Sequence, residues 1–332
     1  MQKILVIQTA FIGDVVLATA LIEKLHTRFP EADIDFLVRK GNETLLTDHP
    51  FLREVLVWDK RRRKLANLWR LLRRIRSNRY DAVINVQRFA ATGMLTAFSG
   101  ARRTIGFDKN PLSRLFNQRI PHIVSTAGGP HEIDRNQLLI RSLTDERPAR
   151  PRLYPCKADE EKVRAYQATP YITVSPASVW FTKQYPAEKW SAFLRELPPG
   201  HTTYLLGAAS DKAICERIRC DRPDIVDLSG TLSFLQSAAL MRGARMNYVN
   251  DSAPMHFASA VNAPVTAVYC STIPAFGFGP LSDVRHIVEI AEPLDCRPCG
   301  LHGYRACPRG HFKCAWKIEE AQLLQTFINS RP

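Results

Sequence analysis

NDSAPMHFASAVNAPVTAVY, residues 250–269, reads as the end of one strand, a tight turn, a buried helix and a second strand. Tyr248 and Val249 close the apolar run before it. Asp251 and Ser252 place side-chain oxygens where a helix N-cap needs them, and Pro254 suits a first helical turn, where the missing N–H had no partner to lose. The spacing predicts a helix from about Met255 to Val261, apolar nearly all round and therefore buried. Its N-terminus then presents the amides from Ser252 through Ala253, Pro254 and Met255 to His256, an end that attracts phosphate. An ordinary capped helix of an α/β protein carries the same pattern.

Working outward, strand and helix signals alternate on both sides, the pattern of doubly wound parallel sheets. Lys3–Thr9 reads as a buried parallel strand, AFIGD as a turn, and Val15–Arg28 as a helix. Asp33–Arg39, Val55–Trp58, Asp81–Val86 and Thr104–Phe107 are the next strands. Proline-rich Ser142–Lys157 has no periodicity and reads as a linker, which separates a domain at residues 1–150 from one at 151–332. Tyr171–Ser175, His201–Leu206, Ile225–Leu228, Met246–Asn250, Val265–Tyr269 and Val284–Ile290 are the second domain's strands, with helices from near Pro186, Asp211, Ser233 and Met255. A last helix, about Ile318–Ile328, is expected to pack back across both domains. The first loop has only Gly13 where a dinucleotide fold needs GxGxxG, so a dehydrogenase is disfavoured. Asp33 and Asp35 alternate onto one strand face and read as solvated rather than as a metal site.

The net charge is +14, and residues 1–150 carry 26 Lys and Arg against 15 Asp and Glu. An anionic partner follows for that half. Its densest stretch, Lys60–Arg79, has ten Lys and Arg and no acid. Leu65, Leu68, Trp69, Leu72 and Ile75 recur at helical spacing and are expected to pack on the sheet, leaving Arg70, Arg73, Arg74 and Arg76 outward. A solvated basic face has the same pattern. Gln8 and Asp14 interrupt the N-terminal apolar run, and no stretch approaches the roughly 20 apolar residues of a membrane span, so a soluble, cytoplasmic protein is expected. Cys156, Cys215, Cys220 and Cys270 are scattered and read as free thiols, whereas Cys296, Cys299, Cys307 and Cys314 cluster near His302 and His311. Four soft ligands can hold a structural zinc, and packed free thiols are the other reading.

NDSAPMH followed by NAPVTAVY resembles the C-terminal signature of the ADP-heptose:lipopolysaccharide heptosyltransferases. These are inverting glycosyltransferases with two Rossmann-like domains facing a central cleft, the GT-B type. KILVIQTAFIGDVVLAT resembles the family's opening strand and Gly-Asp turn, and SPASVWFTKQYPAEKW its Lys-x-x-Pro motif, so the likeness spans the chain in order. Ala253 and Ala20 depart from the family's usual Gly and Pro.

The resemblance implies a heptosyltransferase, with the opening motif nearest type II, and assigns roles to residues that otherwise read as caps or loop positions. Asp14, after Gly13 on the acceptor side, would be the base that takes the acceptor hydroxyl's proton, at an ordinary carboxylate pKa near ~3.9. Lys183 would stabilise the leaving diphosphate without a metal, and Ser175 and Ser178 would hydrogen-bond its oxygens. Asp251 would hold sugar hydroxyls, the amides from Ser252 to His256 and the His256 side chain the diphosphate, and Asp211 the ribose; His256 reads equally as a core histidine. Implied partners are an ADP-sugar donor, the anionic Kdo–lipid A core as acceptor, bound through Arg70, Arg73 and Arg74, and the inner membrane's cytoplasmic face, with no cofactor required and no nucleic acid. Two rivals stay open: another nucleotide-sugar transferase or epimerase on the same fold, and a nucleic-acid-binding protein using the Lys60–Arg79 helix.

Overall fold

The computed structural model describes residues 1–220 and 222–329. Strands β1 (Lys3–Ile7), β2 (Asp33–Arg39), β3 (Glu54–Trp58), β4 (Ala82–Asn85), β5 (Arg103–Phe107) and β6 (Gln118–Ile120) form one sheet, ordered β3-β2-β1-β4-β5-β6. Every pairing in it is parallel. Residues Ile4–Ile7 of β1 have no solvent exposure, as a central strand covered on both faces requires. The connections carry α1 (Ile12–Arg28), α2 (Lys64–Asn78) and α3 (Ala90–Ala97), and α4 (Glu132–Ile140) follows β6. At three residues, β6 is too short for a period to show in the sequence.

The second sheet is built from β7 (Tyr171–Ser175), β8 (Thr202–Leu205), β9 (Ile225–Asp227), β10 (Asn247–Asn250), β11 (Val265–Tyr269) and β12 (Arg285–Glu289). Its order, β12-β11-β10-β7-β8-β9, is the same winding as the first, and it too is wholly parallel. The helices are α5 (Lys157–Arg164), α6 (Ala187–Glu196), α7 (Lys212–Arg219), α8 (Phe234–Gly243), α9 (Ala253–Ala260), α10 (Lys313–Trp316) and α11 (Glu320–Asn329). Trp190, Phe193 and Tyr248 centre its core, and α11 adds Leu323 and Phe327 to that core.

Contacts divide the chain into two units, Met1–Tyr154 and Pro155 onward. Most of the segment expected to be a linker is tied to α1 instead. Arg152 donates its amide to Thr19 Oγ1 at 2.9 Å, Tyr154 its hydroxyl to Glu23 at 2.9 Å, and Lys24 pairs with Asp145 at 2.7 Å.

Asp35 departs from the solvated reading. It has no exposure, and its carboxylate accepts from Arg53 Nε at 2.9 Å and from the Tyr80 hydroxyl. A guanidinium and a phenol reach it across the sheet, which a strand's alternation alone does not reveal. Among the described residues, no helix is long and apolar enough to cross a membrane.

Candidate active site

In each sheet the winding reverses beside the first strand, and in open α/β sheets ligands bind at that reversal, at the strands' carboxyl ends. In the second unit the reversal lies between β7 and β10. Asn250 ends β10 and clamps the facing loop: Oδ1 accepts from the Tyr185 amide at 3.0 Å, and Nδ2 donates to the Pro176 carbonyl at 2.7 Å. That clamp fixes the loop from Pro176 to Tyr185, which carries Lys183 at the end of a 3-10 turn, Phe181–Lys183. Lys183 Nζ lies 2.6 Å from Asp251 Oδ2, and the same oxygen accepts from Thr272 Oγ1 at 2.6 Å. Both side chains of the ion pair are largely buried. Lys183 and Asp251 were expected at one site; Asn250, Thr272 and their bonds were not foreseen.

The N-terminus of α9 differs from expectation in three ways. The helix starts at Ala253 rather than Met255, and Ser252, its N-cap, makes no side-chain capping bond. The Ser252 hydroxyl donates to the Asn250 carbonyl at 3.4 Å, while the Asp251 carboxylate turns to Lys183 and Thr272. Of the amides expected to project, Pro254 has none and Met255 donates to the Ser252 carbonyl at 3.1 Å. Ser252 and Ala253 stand at the N-cap and first position of the helix, where N–H groups have no partner within it. Met255 and His256 are buried.

Ser175 Oγ, at the end of β7, is buried without a hydrogen-bond partner among the described residues, so the site holds a polar atom that a ligand can satisfy. The Ser178 carbonyl accepts from Gln184 Nε2 at 2.7 Å. Asp211 Oδ2 accepts the Ala208 amide at 2.8 Å within its own turn, and Oδ1 accepts the Ser210 hydroxyl at 3.2 Å, which leaves acceptor sites on both oxygens.

In the first unit the reversal lies between β1 and β4. The loop after β1 is held from three sides. Gln87 donates to the Gln8 side chain, Asn42 Nδ2 to the Ala10 carbonyl at 3.1 Å, and Lys60 Nζ to the Thr9 carbonyl at 2.7 Å. Asp14 is the third residue of α1, because its carboxylate reaches back to the Phe11 amide at 3.2 Å and starts the helix at Ile12 instead of Val15. Gly13 thus lies in the first helical turn, not in a preceding loop.

Asp14 also departs from an ordinary acid. Burial, and after it the negative charge of Glu132, raises its pKa to about 6. Glu132, on α4, goes the other way. Burial raises it, but a hydrogen bond from His122 and the charge of Arg135, at 2.7 Å, outweigh that and hold it below the usual carboxylate range. Two carboxyls with pKa values pushed apart are the pattern of an acid–base site. Glu132 was missed because HEIDR reads in sequence as a helix N-terminus, which it also is.

Beside this loop a cleft of about 700 Å³ is lined by Arg39, Lys40, Lys60, Arg61 and Arg62, with Asp59 the acid among the lining residues. Asp59 is taken up by the amides of Arg61 and Arg62 and by Lys40. Burial, then the charges of Arg39 and Lys64, pushes Lys60 down to about 8. A cleft crowded with cations to that degree suits an anion.

The face of α2 is rotated from expectation. Leu68, Leu71, Leu72 and Ile75 are buried, whereas Leu65 and Trp69, expected on the sheet, are 69% and 56% exposed. The helix begins at Lys64, and its stripe is too narrow to include both residues. Arg74 pairs with Glu54 of β3, so it has an acidic partner after all; among the described residues Arg70 bonds a neutral side chain, Asn67, at 3.1 Å.

The cysteine cluster does not support the zinc reading. Among the described residues no three His, Cys, Asp or Glu side chains are grouped to hold a metal ion. Cys299 Sγ donates to the Cys296 carbonyl at 3.3 Å, and Cys307 Sγ accepts the Phe312 amide at 3.4 Å. Cys314 is buried in the core, which pushes its thiol up to about 12 and keeps it protonated.

Comparison with known proteins agrees with this layout. The profile of glycosyltransferase family 9 (heptosyltransferase) matches residues 68–301. Lipopolysaccharide heptosyltransferase 3 of Escherichia coli is 26% identical over 79% of this chain and 82% of its own, and lipopolysaccharide heptosyltransferase 1 of Pseudomonas aeruginosa 25% over 90% and 86%. The structure of E. coli ADP-heptose lps heptosyltransferase II superposes with a TM-score of 0.79 at 20% identity, covering 99% of this chain and 98% of that one. E. coli heptosyltransferase WaaC with ADP gives 0.76 at 17%, covering 99% and 100%. With two parallel six-stranded sheets of one winding, a GT-B fold shared with these structures and a profile match over most of its length, this chain belongs to glycosyltransferase family 9, the heptosyltransferases.

Proposed function

We propose that this glycosyltransferase moves L-glycero-D-manno-heptose from ADP-heptose to the inner core of lipopolysaccharide, with inversion and without an obligatory metal. The observation that carries the reading is the Lys183–Asp251 pair at the β7–β10 reversal, beside the N-terminus of α9. The second unit takes the donor: the Lys183 ammonium, the Ser252 and Ala253 amides and the Ser175 hydroxyl meet the diphosphate, and Asp251 a sugar hydroxyl. In the first unit Asp14 accepts the proton of the acceptor hydroxyl as its oxygen bonds to the anomeric carbon. The bond to the phosphate oxygen breaks at the same centre, and ADP leaves with the electron pair. The cationic cleft from Arg39 to Arg62 suits the phosphates and carboxylates of a Kdo–lipid A core. Relatives named as types 1, 2 and 3 all match, at 25%, 23% and 26% identity, and the opening motif favours type II. Incubation with ADP-heptose and core acceptors bearing no heptose or one heptose tests this, with transfer expected onto the second; transfer onto neither overturns the proposal.

The enzyme works, on this reading, at an anionic membrane surface through α2. Exposed Leu65 and Trp69 lie one turn apart on a helix without an acidic residue, beside Arg70 and Arg73. Each basic residue near such a surface contributes about 1 kcal/mol, so Arg70→Glu with Arg73→Glu should weaken co-sedimentation with phosphatidylglycerol vesicles about tenfold or more. Trp69→Ser should weaken it further, while ADP affinity stays unchanged. Vesicle binding equal to that of the parent protein removes this part of the reading, and a nucleic-acid partner would instead show as salt-steep binding to RNA or DNA.

A further inference from the structure

The cysteine-rich loop leaves its four thiols without an assigned task, but its backbone meets the catalytic loop at one node. Thr182, next to Lys183, is buried. Its amide donates to the Tyr304 carbonyl at 3.1 Å, and its Oγ1 accepts the Tyr304 amide at 2.8 Å and the Ser271 hydroxyl at 2.9 Å. The Ser271 amide donates to the Thr182 carbonyl at 3.2 Å, and the Ser271 carbonyl accepts the Cys299 amide at 2.8 Å. Gly303 sits against the same node with φ +75°, buried, and a Cβ on it would lie 2.9 Å from Thr182 Oγ1 and 3.3 Å from Lys183 Cγ. Only glycine allows this approach at that backbone angle.

The loop reaches the other half of the ion pair too. Arg297 donates from Nε to the Cys270 carbonyl at 2.8 Å and from its terminal nitrogen to the Thr272 carbonyl at 2.8 Å. Thr272 in turn holds Asp251.

We propose that the loop around residues 295–314 is a bracket that positions Lys183 and Asp251, with Gly303, Thr182 and Arg297 as positioning residues that themselves touch no substrate. The bracket deepens the donor reading and rests on Lys183 meeting the diphosphate. The Gly303 backbone lies so near the Lys183 stem that even a Cβ would come within 3.3 Å of Cγ, and this packing keeps the ammonium beside Asp251 before the donor arrives. Preorganisation of this kind is where small displacements weigh most on turnover.

The test follows the Lys183 side chain directly. In protein made with 13C-labelled lysine, the Lys183 13Cε resonance is assigned by its loss in Lys183→Arg. Gly303→Ala and Thr182→Val should move it, and Thr182→Ser, which keeps the hydroxyl, should not. Calorimetry should show ADP affinity lowered about tenfold or more in the first two variants, the loss expected when a charged donor no longer meets a phosphate oxygen. In a Lys183→Ala background, Gly303→Ala should bring no further loss, because both act through one group. An unmoved resonance, or an equal loss in that background, overturns the bracket. A moved resonance with ADP binding untouched by Lys183→Ala keeps the bracket and removes the donor role of Lys183 instead.

Discussion

Asp14→Asn should lower kcat by about a hundredfold or more while leaving ADP-heptose affinity nearly unchanged, the signature of a lost general base. The amide keeps the size of the side chain and a bond to the Phe11 amide, but it cannot take a proton. With a pKa raised to about 6, Asp14 is ionised in roughly nine molecules in ten at pH 7, and it is a stronger base than an ordinary carboxylate. Activity of the parent enzyme should therefore fall as pH drops through about 6. Stability gives an independent check of sign. An acid whose folded pKa lies above its unfolded value of 3.8 favours the fold fully below pH 3.8 and loses that contribution as pH rises through about 6. Removing the charge should accordingly raise Tm at pH 8 relative to the parent, with the gain shrinking toward pH 5. A residue that only capped α1 would behave oppositely: Asp14→Asn would lower Tm at pH 8 and spare turnover, and that outcome sinks the mechanism.

The parallel sheets were legible because central strands are short, mostly apolar, β-branched runs. Residues 3–7, 171–175 and 265–269 need no partner to be recognised, and the first and last residues of β2, β7 and β11 lie where the sequence puts them. The site was legible in identity but not in its bonds. Lys183 and Asp251 were both named from motifs 68 positions apart, yet nothing local says that one carboxylate oxygen will take Lys183 and Thr272 together. Asp251 also suits a cap in sequence, because N-cap preferences average over helices with no charged partner nearby. Burial was least legible where side chains are long. Asp35 is buried because Arg53 and Tyr80 reach it, and Trp69 is exposed because α2 turns its narrower stripe inward. Both depend on residues distant in sequence, which periodicity does not see. The same holds for Asp14, whose pKa is set partly by Glu132 more than a hundred positions away.

Lys183→Ala should affect binding and chemistry together. A charged donor to a phosphate oxygen contributes about 1.5–3 kcal/mol, so ADP affinity should fall roughly ten- to a hundredfold. Turnover should fall by at least as much again, since the leaving diphosphate gains negative charge as the glycosidic bond breaks, and losing one such stabilising group costs about 10²–10³ in kcat elsewhere. The substitution has a second consequence, because it strands Asp251. That carboxylate is buried, with Thr272 as its other partner, and breaking a buried pair from one side costs about 3–5 kcal/mol of stability. The two effects separate in the double variant. Asp251→Asn removes the stranded charge and keeps an acceptor for the Thr272 hydroxyl, so Lys183→Ala with Asp251→Asn should recover most of the lost Tm. ADP binding, read by calorimetry well below either Tm, should stay weak in that same protein, because no substitution at Asp251 replaces a cation at the diphosphate. If the double variant recovers ADP affinity along with stability, Lys183 serves only as the counter-ion of Asp251, and the charge that meets the leaving group must come from another residue.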